Sequence, residues 1–114
     1  MTLREKQSLF VRLVSALIRE ADARGYELTF GEAYRSSEEA ARLAKAGKGI
    51  VNSLHLSRLA LDLNLFKGGR YLSSTEAHRP LGEWWETQHE LCRWGGRFKR
   101  PDGNHYSLAH GDRA

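Results

Sequence analysis

His55, Asp62 and His105 together offer two imidazoles and one carboxylate. Imidazole nitrogen and carboxylate oxygen are ligands that Zn²⁺ takes at about 2.0–2.2 Å, and three protein ligands leave a fourth position open for water. The first two residues belong to the segment Ser53-Leu54-His55-Leu56-Ser57-Arg58-Leu59-Ala60-Leu61-Asp62, and the third closes Asp102-Gly103-Asn104-His105. Asp102 adds a second carboxylate three residues before His105, where it could handle a proton of that water. The chemistry this set suits is metal-assisted hydrolysis.

Each of these residues also has an ordinary structural use. Single histidines are more often surface or hydrogen-bonded core residues than ligands. His78, in a polar stretch, and His89, in a helical pattern, carry no further signal. His110, in a polar tail, is the alternative to His105. Asp-Gly is a frequent turn pair in which the aspartate caps its own backbone, and such a turn would also fold Asp102 back towards His105. Arg35 is either a solvated charge or a guanidinium that binds a substrate carboxylate and stabilises an oxyanion. Ser53 is a turn hydroxyl or a hydrogen-bonding group in the same cleft. Trp84 and Trp85 read as core rather than as a stacking platform. The lone Cys92, among apolar residues at helical spacing, reads as an inert buried thiol.

The elements that must position these residues are unevenly legible. Thr2-Leu3-Arg4-Glu5 has the spacing of a capping box, and Leu9, Phe10, Leu13, Val14, Leu17, Ile18 and Ala21 follow at helical spacing, with Gly25 as a stop. Alternation over Tyr26–Phe30 predicts a short strand. Ser36 and Ser37 cap a predicted helix from Glu38 to Ala46, which puts Tyr34 and Arg35 at a strand-to-helix junction. Leu56–Phe66 satisfies both a strand and a helical stripe. A strand reading needs a turn or bulge near Ser57-Arg58, because His55 and Asp62 would otherwise face opposite ways. Gly68-Gly69 predicts a turn, and Ser73–Arg79 reads as a polar connection. Pro80 is placed as a helix start, with Leu81, Trp84, Trp85, Gln88, Leu91 and Cys92 tracing one face down to Gly95-Gly96. His105–Leu108 reads as a short strand.

A chain of 114 residues with 40% hydrophobic and 28% charged residues predicts one globular domain over residues 1–114. No apolar run reaches the ~20 residues of a membrane span. The N-terminus lacks the apolar stretch of a signal peptide, so synthesis in the cytoplasm is expected. The net charge of +4 favours anionic partners, among them nucleic acid, acidic lipid and cell-wall polymers, without choosing between them. No nucleic-acid-binding motif is present and the charge is spread along the chain, so a nucleic-acid partner is not expected.

The combined motifs resemble the D-alanyl-D-alanine carboxypeptidase-like zinc peptidases, which include D-Ala-D-Ala dipeptidases and carboxypeptidases and bacteriophage L-alanyl-D-glutamate endolysins. Ser53-x-His55, Asp62 after six intervening residues, and Asp102-x-x-His105 follow that family's pattern. The segments Tyr34-Arg35-Ser36 and Trp94-Gly95-Gly96 fit as well, so the resemblance runs from about Phe30 to Leu108. It implies an α+β fold in which a small antiparallel sheet bears the zinc site and packs with about three helices, and it resolves Leu56–Phe66 as a strand. It implies Zn²⁺ on His55, Asp62 and His105, Asp102 and Arg35 as catalytic residues, and Ser53 and Arg35 as substrate-binding groups. One departure is Arg58, where the family often has glycine; arginine there implies a different turn geometry.

The short chain most resembles a phage endolysin of the L-Ala-D-Glu class. The expected substrate is bacterial peptidoglycan, cleaved by a monomer that reaches the wall after release through a holin-type pore. A D,D-carboxypeptidase or dipeptidase that trims D-Ala ends is the alternative within the enzymes. A zinc-stabilised, non-catalytic wall-binding module is the alternative outside them, and the presence of Asp102 argues against it.

Overall fold

The computed structural model describes residues 1–34, 36–45, 54–111 and 113. Helix α1 spans Leu3–Ala23. Its start is the expected capping box: the Thr2 hydroxyl accepts from the Glu5 amide at 3.1 Å, and the Glu5 carboxylate accepts from the Thr2 amide at 2.8 Å. One face carries Phe10, Leu17 and Ala21 into the core, while Val11 on the opposite side is exposed. The helix gives way at Gly25, whose φ of +83° lies in the left-handed region.

Strand β1 covers Glu27–Phe30 and helix α2 covers Ser37–Lys45, where the Ser36 hydroxyl accepts from the Glu39 amide. A single 3₁₀ turn over Leu54–Ser57 leads into strand β2, Ala60–Lys67. The ambiguous segment is therefore a turn followed by a strand. Gly68 and Gly69, both at positive φ, close a tight hairpin to strand β3, Arg70–Leu72. Helix α3 (Thr75–Glu86), strand β4 (Cys92–Trp94), a 3₁₀ turn at Gly95–Arg97 and strand β5 (His105–Leu108) complete the described chain.

The five strands form one antiparallel sheet in the order β1-β2-β5-β4, with β3 also paired to β2. Along β2, Leu61, Leu63 and Leu65 enter the core, while Asp62, Asn64 and Phe66 are half-buried on the other face. Trp85 of α3 anchors the core, edge-on to Phe10 and Tyr106, with its indole N–H donating to the carbonyls of Arg93 and Ser107. Cys92 is buried, and desolvation pushes its thiol up to about 12, so it is an inert core group.

Three expectations fail between Ser73 and Gly96. Ser73–Arg79 is not a connection, because α3 begins at Thr75 with the Ser74 hydroxyl accepting from the Ala77 amide. Pro80 lies inside α3 rather than at its start; without an N–H it forgoes one helical bond, and the helix continues because its buried face packs on the sheet. The apolar spacing from Leu81 to Cys92 does not extend one helix. The helix ends at Glu86, and Cys92 already belongs to β4. His78 is accordingly a buried helical residue, not a loop residue, and His89 sits in the turn before β4.

Candidate metal centre

Two turns and two strands converge to make the site. Asp62 on β2 stands opposite His105 on β5 in the sheet register, so both side chains leave the same face of adjacent strands. His55 arrives from the 3₁₀ turn before β2. Arg58 lets that turn enter the strand by adopting a φ of +56°, the left-handed region that glycine favours. Arginine therefore occupies a backbone conformation that glycine favours. Its guanidinium lies 4.3 Å from the centre of the Tyr34 ring, a cation–π contact that offsets part of the backbone strain.

The ligand atoms of His55, Asp62 and His105 all lie within 4.8 Å of one another, and these three residues form the one such cluster among the described residues. Asp62 Oδ1 lies 3.5 Å from His55 Nε2 and 3.5 Å from His105 Nδ1. Those separations are long for hydrogen bonds and close to the ~3.4 Å edge of a tetrahedron with bonds near 2.1 Å. Asp62 Oδ1 is buried and makes no hydrogen bond among the described residues, an expensive state for a carboxylate oxygen unless a cation completes it. The His55 Nδ1–H donates to the Ala33 carbonyl at 3.0 Å, which leaves the Nε2 lone pair facing Asp62. Donor types, spacing and tautomer all suit a divalent metal ion.

The electrostatics are consistent with that arrangement. Burial pushes the Asp62 carboxyl upward, but His105 and His55 outweigh it and hold the group at about 2. Burial pulls His55 down, and the Asp62 carboxylate, the Ala33 carbonyl and the Glu32 charge more than reverse it. Asp102 shifts the other way. Partial desolvation of its carboxyl and repulsion from Asp62 raise it above the ordinary carboxylate value, against the pull of His105 and His55, although the residue as a whole is exposed. Two carboxylates beside the same histidines thus have opposite tendencies, one firmly ionised and one more basic.

The loop carrying Asp102 is held by main-chain bonds. The Gly95 carbonyl accepts from both the Phe98 amide at 3.1 Å and the Asp102 amide at 2.8 Å, and the His105 amide donates to the Asp102 carbonyl. The Trp94 indole N–H donates to the Gly103 carbonyl at 2.7 Å. Gly95 must be glycine here, because a Cβ would strike the Asp102 carbonyl oxygen and come within 2.7 Å of the His105 Cβ. Asp102 to His105 is thus a turn, and the Asp102 carboxyl lies within reach of the charges of Asp62, His105 and His55.

Of the sequence-derived candidates, His55, Asp62 and His105 meet at this site and Asp102 interacts with them through its charge, whereas Arg35 and Ser53 lie outside the described residues. His110, the alternative ligand, is instead beside Lys6, with Nζ 3.2 Å from its Nδ1, and bridges to Arg113. Sequence reasoning missed two contributors. Ala33 acts through a carbonyl that no residue type announces. Phe98, whose ring centre lies 5.1 Å from that of His105, has no periodic pattern around it, and only its place between Trp94-Gly95-Gly96 and Asp102 could have marked it.

A family profile described as D-alanyl-D-alanine carboxypeptidase matches residues 46–108, more than half of the chain and the whole stretch from His55 to His105. Among solved structures, the chain is similar to the Serratia marcescens L-Ala D-Glu endopeptidase ChiX. The TM-score is 0.74 at 21% identity, over 88% of this chain and 77% of that one. That likeness is one of fold. No curated protein matches the chain. A sequence match that runs through both motifs, which the sheet then brings to one point, shows that the chain belongs to the D-alanyl-D-alanine carboxypeptidase family of peptidases.

Proposed function

We propose that this peptidase is a zinc enzyme that hydrolyses peptide bonds of the peptidoglycan stem, with L-alanyl-D-glutamate endopeptidase activity of the phage endolysin type. The observation that carries the zinc assignment is the buried Asp62 oxygen, without a hydrogen bond among the described residues and equidistant from two imidazole nitrogens. His55, Asp62 and His105 hold the ion. When bound, zinc supplies Lewis acidity, acidifying water and polarising a carbonyl.

The chain's own residues do the rest. Asp102, whose raised pKa suits a base, accepts a proton from the attacking water and delivers it to the leaving amine. Arg35 binds substrate carboxylate and stabilises the developing oxyanion, and Ser53 hydrogen-bonds substrate. The basic surface keeps the enzyme near an anionic wall. No helix among the described residues is long and apolar enough to cross a membrane. The enzyme acts as a monomer, made in the host cytoplasm and released to the wall through a holin-type pore.

The choice of scissile bond leans on the fold shared with an L-Ala D-Glu endopeptidase. The family's description favours a second reading, a D,D-carboxypeptidase that trims D-Ala ends. Incubation with purified muropeptides, followed by mass spectrometry of the new termini, separates the two: free L-Ala carboxyl and D-Glu amino ends support the endopeptidase, and release of D-Ala alone supports the second reading. Metal analysis of the same preparation should find about one zinc per chain, and a chelator should stop cleavage. Asp102→Ala should keep zinc and lose hydrolysis; normal hydrolysis by that variant would remove Asp102 from the mechanism.

A further inference from the structure

His55 and His105 are held in different ways. Ligand histidines are ordinarily oriented through the ring nitrogen that does not face the metal, which donates to a carbonyl, a carboxylate or water. His55 follows this pattern through Ala33. His105 does not: Nδ1 faces Asp62, and the remote Nε2 is buried with no hydrogen-bond partner among the described residues. Rotation of the imidazole about its bond to Cβ would exchange Nδ1 for a carbon, and no hydrogen bond at Nε2 opposes it. Ring packing must do so instead. His105 is 7% exposed and has two aromatic neighbours, His55 at 5.5 Å and 77° and Phe98 at 5.1 Å and 58°.

We propose that Phe98 is the positioning residue for His105, replacing with an aromatic wall the hydrogen bond that orients His55. The placement of Phe98 is itself fixed, because its amide shares the Gly95 carbonyl with the amide of Asp102. One carbonyl therefore sets the wall behind a ligand and the carboxylate beside it. This inference rests on the zinc reading of the site.

The test is zinc affinity, measured by competition with a chromophoric chelator on the purified protein, together with the ligand-field spectrum of the Co²⁺-substituted form. Phe98→Ala should weaken zinc binding roughly 10- to 100-fold, the range found when the orienting partner of a ligand is removed. It should also broaden or shift the Co²⁺ bands. Phe98→Trp, which keeps an aromatic face, should restore affinity to near the unmodified level, whereas Phe98→Leu, which keeps apolar bulk alone, should not. Circular dichroism of each metal-free variant checks that it is folded, and Phe98→Leu carries the test if Phe98→Ala is not. Unchanged affinity and spectrum in a folded Phe98→Leu would overturn the proposal. His105→Ala separates the two levels: if the unmodified protein binds no zinc, or His105→Ala binds it equally well, the zinc reading fails and this inference falls with it. Loss of zinc in His105→Ala with no effect at Phe98 removes the inference alone.

Discussion

Asp62 must stay charged while half-buried, and burial alone would push its carboxyl upward. The two imidazoles outweigh that cost and hold its carboxyl at about 2, so it is a carboxylate at any pH where the protein would work. Asp62→Asn keeps the shape and removes the charge. Its zinc affinity, read by chelator competition, should fall by more than roughly 100-fold, beyond the loss expected from an outer partner. Arg58 presents a smaller conflict, between a left-handed backbone and a favourable contact with Tyr34. Arg58→Ala loses the contact and keeps the strain, while Arg58→Gly loses both. Chemical denaturation should therefore find the glycine variant more stable than the alanine variant by about 1 kcal/mol. Equal stabilities would mean that the turn is not strained.

At the scale of elements, the pairing of α3 with β5 is where acidity should act. His78 in α3 is 2% exposed, its Nδ1 is 3.0 Å from the Tyr106 hydroxyl, and desolvation pulls its pKa down from 6.5 to about 4. The unfolded chain gains a proton on His78 near pH 6.5, and the folded chain does not until about pH 4. Stability is therefore full above 6.5 and is lost as the pH falls towards 4, by on the order of 3 kcal/mol. Denaturation at pH 7 and pH 4.5 should show this loss in the unmodified protein and not in His78→Gln. The link between β4 and β5 depends instead on space. Gly95→Ala forces apart the Asp102 carbonyl and the His105 Cβ, and should cost about 2–3 kcal/mol in thermal unfolding.

For the whole molecule, the core and the candidate site occupy opposite sides of β2. Leu61, Leu63 and Leu65 join Leu17, Leu81 and Trp85 in apolar packing that needs no metal, while Asp62 belongs to the other face. Chelation should then leave the far-UV dichroism intact, and added zinc should raise the melting temperature progressively, as mass action requires. A chain that unfolds on chelation would show that the site also carries the fold. The net charge of +4 acts over the whole surface, so retention on isolated cell walls should weaken steadily as salt is raised from 50 to about 300 mM.

The sequence alone determined what is local in origin: the capping box and apolar stripe of α1, the glycine turn between β2 and β3, and the ligand types at His55, Asp62 and His105. These follow from a residue's own conformational and chemical preferences, which travel with it. The tertiary structure decided what depends on neighbours distant along the chain. Leu81, Trp85 and Cys92 show helical spacing, yet β5 captures Cys92 into a strand, because pairing with Leu108 outweighs a periodic pattern. His105 rather than His110 joins the site, because β5 is in register with β2 at Asp62 and the tail is not. Spacing could nominate both histidines; only strand pairing, a contact across more than forty residues, could choose between them.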